Sequence, residues 1–256
     1  MTVIFFTNNG SDREFNEDAV LAGDVFGGFS MAEPMIAVSP GPIVAVADGI
    51  GGGPGGAQAA RMVLDSLKEL SSLVNGQPNP ADLLTENLLG ASTKLGYLSA
   101  GKPALLGLGS TVAGLWRQGN SATVFNCGDC RVYRSRLGQV DLLSRDHSPV
   151  YSLYLDGQIS FEEIRNHSQR HVISCAVQGG SPERLAVFSR QVQVRLGDLF
   201  LVCSDGVWES LDDNGLEDCL SSGDPETAAL NLAEVLMAKN AGDNFSFIVA
   251  QEELGA

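Results

Sequence analysis

The chain has 256 residues, which is enough to bury a large core in one domain or in two small ones. Its hydrophobic content of 44% and charged content of 18% are typical of a folded protein and exclude a disordered one. The net charge of −15, from 31 acidic and 16 basic residues, disfavours nucleic acid and anionic membranes as partners, because both require clustered Lys and Arg.

The first ten residues, MTVIFFTNNG, have a short apolar run with neither a basic segment nor a cleavage signal, so they predict a strand and not a signal peptide. No apolar segment reaches the length of a membrane span. Five cysteines at irregular spacing argue against a disulfide framework and predict a reducing, cytoplasmic location. Cys127 and Cys130 form a C-x-x-C, but no second pair follows, so we interpret both as small core residues.

The first half of the chain predicts strands followed by helices. Strands are expected at residues 2–7, 19–22 and 43–47, with a loop or hairpin at 23–42. Apolar residues at positions 59, 60, 63, 64, 67 and 70 recur with a helical period and predict a helix over residues 58–73. After a turn at residues 75–80, Pro80 and Asp82 open a second helix that runs to about Ser99.

The second half predicts mainly strands. Four short strands separated by turns form an antiparallel meander at residues 110–117, 122–127, 132–135 and 140–143. Two short helical patterns follow within residues 149–170. Later strands are expected at 172–176, 185–194, 198–204 and 245–250, with helical segments at 208–211, 213–220 and 225–239. Since strands and helices come in runs and not in alternation, we predict one α+β domain with antiparallel sheets covered by helices.

Asp48 ends the predicted strand 43–47, and six glycines follow it between Gly49 and Gly56. A charge at the end of a buried strand is costly unless something compensates it. Asp48 could cap the next helix in a simple turn. It could also bind a metal ion, with the glycines allowing backbone and ligand to approach closely.

The same pattern recurs at four other places, which are Glu17–Asp18, Asp129, Asp205 and Asp243. One such acid is most simply a turn residue. Several acids from distant parts of the chain, each at the end of a predicted core strand, suggest one shared site. Grouped carboxylates repel each other unless cations neutralise them, and ligands that are all oxygen suit Mg²⁺ or Mn²⁺. The three histidines are not spaced as ligands.

Arg13 precedes Glu17 and Asp18 on the same short segment. A salt bridge is the simplest interpretation of such charges. In a metal–carboxylate site, however, an Arg is suited to hold a phosphate through two parallel hydrogen bonds. Metals, carboxylates and one Arg together favour phosphoryl hydrolysis.

Seven motifs occur in order along the chain: REFNED at 13–18, VADGIGG at 46–52, LGST at 108–111, CGDCRVY at 127–133, DHS at 146–148, LVCSDGVWE at 201–209 and GDN at 242–244. In this order and spacing they resemble the metal-dependent serine/threonine protein phosphatases of the PPM, or type-2C, family, and most of all its compact bacterial members. The resemblance spans nearly the whole chain. It implies a β-sandwich of two antiparallel sheets flanked by α-helices in four αββα layers. The single domain would cover residues 1–256, with a variable flap at about 149–172.

The resemblance also implies a ligand set for two Mn²⁺ or Mg²⁺ ions. Asp48 would bridge the two ions. Glu17 and the carbonyl of Gly49 would complete the protein ligands of the first ion, while Asp205 and Asp243 would hold the second. A water shared by the two ions would attack phosphorus directly, so that no cysteine is needed as a nucleophile.

Five further residues receive roles from the same resemblance. Arg13 would bind the substrate phosphate, Asp18 would orient the attacking water, and Asp129 would help to hold a third, weaker ion. Asn244 and Asp146 would support the site through hydrogen bonds from outside the ligand set. Relatives often carry a His where this chain has Ile50 or Gly53.

The implied partners are phosphorylated proteins, including a cognate Ser/Thr kinase and its substrates, and we expect a monomer that binds no nucleic acid. Two other classes compete with an enzyme. A catalytically inactive, phosphoprotein-binding regulator of the same fold typically lacks a metal carboxylate, whereas this chain keeps all of them. A calcium-binding structural domain would need a loop of EF-hand type, which is missing here. In the flap, Tyr151, Tyr154 and Phe161 either meet the substrate or pack a core.

Overall fold

Two antiparallel β-sheets pack face to face with helices on their outer sides in the computed structural model of this chain, which describes residues 1–37, 40–73, 79–180 and 182–252. The strands are β1 (Thr2–Asn8), β2 (Asp18–Ala22), β3 (Asp24–Gly27), β4 (Met35–Ile36), β5 (Ile43–Ile50), β6 (Gly109–Gln118), β7 (Ser121–Cys127), β8 (Arg131–Arg136), β9 (Gln139–Leu142), β10 (Val177–Gln178), β11 (Phe188–Gln193), β12 (Leu199–Cys203) and β13 (Phe245–Gln251). The helices are α1 (Pro54–Leu73), α2 (Pro80–Ser99), α3 (Pro149–Leu155), α4 (Phe161–Asn166), α5 (Asp205–Ser210), α6 (Asp213–Leu220) and α7 (Pro225–Ala238).

The two sheets have the strand orders β4-β1-β13-β12-β8-β9 and β11-β7-β6-β5-β2-β3, and β10 pairs with the start of β6. One apolar cluster fills the space between the sheets and extends to α6 and α7, and a second lies between β5, β6 and the pair α1 and α2. The order of layers is therefore helices, sheet, sheet, helices. This confirms the predicted α+β sandwich.

Strand β5 is buried on both faces. Val44 and Val46 point to the opposite sheet, whereas Ala45 and Ala47 point to α1. Side chains of a strand alternate between its faces, so a strand between two apolar layers contains an unbroken apolar run. The run ends at Asp48, but the strand continues to Ile50. Asp48 is therefore held by sheet hydrogen bonds on both sides and is not a free turn residue.

Helix α1 buries the predicted apolar positions, which are Ala59, Ala60, Val63, Leu64, Leu67 and Leu70. It begins at Pro54 and not at residue 58, because proline suits the first turn of a helix. Three glycines with positive φ, Gly51 to Gly53, turn the chain from β5 into this helix.

Several predicted boundaries are wrong. The strands of the predicted meander belong to two sheets, since β6 and β7 pair in one while β8 and β9 pair in the other. Residues 172–176 contain no strand, and β11 covers only Phe188–Gln193 of the predicted 185–194. Helix α5 begins at Asp205 and not at residue 208. Most of the turn predicted at 75–80 lies outside the described residues.

Candidate active site

One cavity of about 390 Å³ is lined by four of the acidic residues that the sequence singled out, whereas Asp18 and Asp129 lie outside its lining. Its walls include the side chains of Glu17, Asp48, Asp205 and Asp243, together with Arg13, Gly49, Ile50, Gly51, Gly52, His171 and Asn244. Asp48 comes from one sheet, whereas Asp205 and Asp243 flank strands of the other. The cavity therefore lies at the edge of the sandwich where the ends of strands from the two sheets come together.

Strand pairing fixes the positions of Asp18 and Asp48 relative to each other. Asp18 lies directly opposite Asp48 in the ladder between β2 and β5. The hydroxyl of Ser204, at the end of β12 in the other sheet, donates to Oδ2 of Asp18 over 2.7 Å. The side chain of Asp18 is buried, and its Oδ1 receives no hydrogen bond from the described residues. A buried carboxylate oxygen without a partner is costly unless a ligand or water completes it.

Close backbone approach brings Glu17 to Gly49. The N–H of Gly49 donates to the carbonyl of Glu17 at 3.1 Å, and the N–H of Gly53 donates to Glu17 Oε1 at 2.8 Å. A Cβ placed on Gly56 would lie 1.8 Å from Glu17 Oε2 and 2.8 Å from the carbonyl oxygen of Gly49. Only glycine therefore fits position 56, beside the two oxygens that the resemblance assigns to one ion.

Asn244 ties the loop before β13 to the segment that carries Glu17. Its Oδ1 accepts the N–H of Glu17 at 2.8 Å, and its Nδ2 donates to the carbonyls of Asn9 and Phe15. Glycine at 206 lets α5 approach this loop, since a Cβ there would lie 2.1 Å from the carbonyl oxygen of Asn244. Asn244 thus has the contacts expected of a supporting residue.

Arg13 stands at the edge of the cavity with about half of its side chain exposed. Its Nη2 donates to Oδ2 of Asp243 at 2.7 Å. This hydrogen bond raises the pKa of Arg13 further, so the guanidinium carries its charge at any physiological pH. Both interpretations made from the sequence stay compatible with the structure, because a guanidinium has five N–H donors and one salt bridge does not exhaust them.

Burial and mutual repulsion act on the carboxylates. Burial raises the pKa of Asp48 well above its ordinary value, and the charge of Asp205 is the second-largest cause. Burial also raises the pKa of Asp205 well above its ordinary value, and the charges of Asp129 and Asp243 are the next-largest causes. Burial raises the pKa of Asp18 and that of Asp129 to about 7 each. Carboxylates arranged in this way call for compensating positive charge.

Asp129 and Asp146 lie outside the lining of the cavity. Asp129 is buried in the turn between β7 and β8, and its charge reaches both Asp48 and Asp205. Asp146 forms a buried salt bridge of 2.6 Å with Arg131. Contacts also connect it to Asp129, because Arg131 stacks on Trp208, whose indole N–H donates to the carbonyl of Asp129.

Sequence reasoning missed two residues of the site. His171 lines the cavity, and its Nδ1 lies 3.1 Å from Oε1 of Glu209. These two residues and Asp205 each present a ligand-type atom within 4.8 Å of the others. Glu209 stands one helical turn after Asp205, and this i, i+4 spacing was a usable signal. His171 gave none, because it sits in an irregular segment that the sequence predicted only as part of a flap.

Two buried thiols near the site are poor nucleophiles, and the aromatic side chains of the flap pack against one another. Burial raises the pKa of both Cys130 and Cys203, so these groups stay protonated and are poor nucleophiles. Tyr154 makes edge-to-face contacts with both Tyr151 and Phe161, and this trio packs a small core within the flap. Of the two alternatives for these rings, the structure favours packing.

The donors that converge on the cavity are carboxylate and carbonyl oxygens, which suit a hard divalent cation. The glycine at position 56 keeps space beside two of them, and the crowded carboxylates are destabilised without positive charge. The residues present therefore fit the Mn²⁺ or Mg²⁺ ions that the resemblance implies.

The sequence profile of the Protein phosphatase 2C family matches residues 35–237. The chain therefore belongs to this family, and the predicted membership of the type-2C phosphatase family is confirmed.

Two curated relatives and one solved structure show the likeness. The serine/threonine protein phosphatase PstP of Mycobacterium tuberculosis is 28% identical over 249 residues, which are 95% of this chain and 43% of PstP. This chain thus spans less than half of that relative. The serine/threonine phosphatase stp of Listeria welshimeri is 27% identical over 258 residues, covering 98% of this chain and 95% of stp.

The solved structure is the catalytic domain of PstP in complex with two manganese ions. It superposes with a TM-score of 0.78 at 24% identity, over 98% of this chain and 99% of that domain, which shows a shared fold. Within the described residues, no helix is both long enough and apolar enough to cross a membrane.

Proposed function

We propose that this chain hydrolyses phosphoserine and phosphothreonine in proteins by direct attack of water on phosphorus. Two Mn²⁺ or Mg²⁺ ions would be held by Glu17, Asp48, the Gly49 carbonyl, Asp205 and Asp243. The observation that carries the proposal is the convergence of four carboxylates from distant parts of the chain on one cavity that also contains an arginine. The two manganese ions of the PstP catalytic domain support this choice of metal.

Ions bound there supply Lewis acidity, which lowers the pKa of water and offsets the charge of the phosphate. We assign the orientation of the attacking water to Asp18. Its Oδ1 accepts no hydrogen bond from the described residues and is free to accept one from water. Its Oδ2 is fixed by the hydroxyl of Ser204, so the carboxylate keeps one orientation.

Arg13 is the residue we assign to the substrate phosphate. Its salt bridge to Asp243 orients the guanidinium at the cavity, and the remaining N–H groups can donate to two phosphate oxygens. Those donors stabilise the charge that develops on the transferred phosphoryl group. Asp129 is proposed to help hold a third ion, in keeping with its burial next to the carboxylate cluster.

The remaining expectations also stand as proposals. Residues 1–256 form one domain, and residues 149–172 form a flap that borders the site. The contacts of Arg170 and His171 with Glu209 support this placement of the flap. The resemblance to bacterial phosphatases supports phosphorylated proteins as substrates, among them a cognate Ser/Thr kinase and the proteins that it modifies. We further propose a cytoplasmic monomer, which light scattering of the purified chain would test.

Phosphate release from a phosphothreonine peptide, measured with and without Mn²⁺, tests the proposed reaction. We expect turnover that depends on Mn²⁺ and is lost in Asp205→Asn. The exposed flap variant Asp156→Asn removes the same charge away from the site and controls for net charge. An inactive wild-type protein with bound metal would refute the enzyme and favour a phosphoprotein-binding regulator. Full activity of Asp205→Asn would refute the metal ligands.

A further inference from the structure

Two thiols that lie 48 positions apart in sequence contact each other, and one of them, Cys127, stands two residues before Asp129. Cys127 ends β7 and is fully buried, whereas Cys175 lies half-buried in the irregular segment between α4 and β10. Their sulfur atoms are 3.5 Å apart. A disulfide bond is about 2.05 Å long, so the two sulfurs need to approach by only about 1.5 Å to bond. Cys130, the other member of the C-x-x-C, instead contacts the hydroxyl of Thr111.

Cys175 lies among polar backbone groups, with the carbonyl oxygens of Arg184 and Ala186 at 3.4 and 3.5 Å from its sulfur. The hydrogen bond from Cys127, assisted by the N–H of Ala186 at 3.1 Å, lowers the pKa of Cys175 to about 6. A lowered pKa favours the thiolate, which is the form that reacts with peroxide. Cys127 is placed to act as the second thiol of a pair.

A metal ion is the rival occupant, because a ring nitrogen of His147 lies within 4.8 Å of both sulfurs. Nδ1 of His147 accepts the N–H of Gly128 at 3.0 Å, so the proton of the neutral ring is on Nε2 and neither nitrogen has a free lone pair. Burial lowers the pKa of His147 and keeps the ring neutral. Two sulfurs without the imidazole are too few ligands for zinc.

We propose that Cys127 and Cys175 form a reversible disulfide when hydrogen peroxide oxidises the protein, and that this bond lowers phosphatase activity. The Cys175 thiolate attacks one peroxide oxygen, which gives a sulfenic acid and hydroxide. The Cys127 sulfur then attacks the sulfenic sulfur, the S–S bond forms, and the departing hydroxide takes up the Cys127 proton as water. In total two thiols lose two electrons and two protons, and one peroxide becomes two waters.

Backbone contacts connect this pair to the catalytic cavity. The N–H of His147 donates to the carbonyl of Gly128, and the N–H of Ser174 donates to the carbonyl of His147. A bond between the thiols would therefore shift the turn that carries Asp129 against the segment that carries His171. A misplacement of about 1 Å near reacting groups can cost up to about 10²-fold in rate. The effect on activity, unlike the bond itself, rests on the proposed function.

Intact-mass and peptide mapping of the metal-loaded protein, before and after treatment with hydrogen peroxide, tests the bond without any activity assay. We expect the loss of two hydrogens, a linked peptide pair containing Cys127 and Cys175, and full reversal by dithiothreitol. Cys175→Ser should abolish the link. Cys219→Ser, which removes another buried thiol on α6, should leave it intact. Since Cys175 is only half-buried, its serine variant is expected to fold.

Activity is then measured on the same samples. In the wild type and in Cys219→Ser, we expect kcat/KM to fall about tenfold on oxidation and to return with dithiothreitol. We expect Cys175→Ser to keep its activity through the same treatment. Three results would overturn the proposal: no linked peptide, irreversible oxidation of Cys175 alone, or one zinc ion per chain that is lost in Cys175→Ser. A link that leaves turnover unchanged would overturn the regulatory half. Absence of turnover before oxidation would instead count against the proposed function.

Discussion

The buried carboxyl of Asp18 should make the metal-free protein less stable as pH rises. Burial raises its pKa from 3.8 to about 7 in the fold. Between these values the unfolded chain has lost the proton and the folded chain still binds it, so the free energy of unfolding falls by about 1.4 kcal/mol per pH unit. From pH 5 to pH 8 this one carboxyl then removes about 3 kcal/mol.

Asp18→Asn eliminates this titration. The amide oxygen can still accept the hydroxyl of Ser204, and any constant cost of the amide cancels between the two pH values. Urea unfolding in EDTA, followed by tryptophan fluorescence at pH 5 to pH 8, gives the free energy of unfolding of each variant. The stability of Asp18→Asn relative to wild type should rise by about 3 kcal/mol between pH 5 and pH 8, with most of the rise below pH 7. Asp156→Asn controls for the lost charge. Parallel pH profiles of wild type and Asp18→Asn would show that the pKa of Asp18 is not raised by burial.

Three further substitutions probe other parts of the site. Arg13→Ala should lower kcat/KM for a phosphopeptide about 10- to 100-fold while Mn²⁺ affinity stays within about threefold, and equal loss of metal binding would contradict a phosphate role. Gly56→Ala should abolish Mn²⁺ binding in calorimetry, because its Cβ would meet Glu17 Oε2. The control variant Gly55→Ala should bind Mn²⁺ normally, since a Cβ there makes ordinary contacts. Normal Mn²⁺ binding by Gly56→Ala would contradict the close packing of Gly56 against Glu17. Arg131→Met leaves its buried carboxylate partner unpaired and should cost about 3–5 kcal/mol in urea unfolding, whereas a cost under about 1 kcal/mol would show that the pair is not buried in solution.

Local patterns in the sequence predicted much of the fold. The apolar run before Asp48 and the helical period of α1 each report burial that neighbouring residues share, so both were visible. The sequence did not show that the chain passes from one sheet to the other at Gly128. Strand length and alternation are the same whichever sheet a strand joins.

The same limit applies to the site. The acids at strand ends were predicted as a group, since the ends of core strands converge. His171 and the pair of Cys127 and Cys175 were missed. Their contacts join segments that are far apart in sequence, and His171 and Cys175 lie in irregular backbone without periodicity. Gly56 was one of six glycines expected to allow close approach, but the sequence did not identify Glu17 as the side chain for which it makes room.

We propose that Asp48 would hold both divalent cations. Anomalous diffraction at the manganese absorption edge, from crystals soaked in MnCl₂, tests it most directly. We expect two peaks flanking the Asp48 carboxylate, one shared with Glu17 and the Gly49 carbonyl and the other with Asp205 and Asp243. A single peak, or peaks bound by residues outside this cavity, would contradict it.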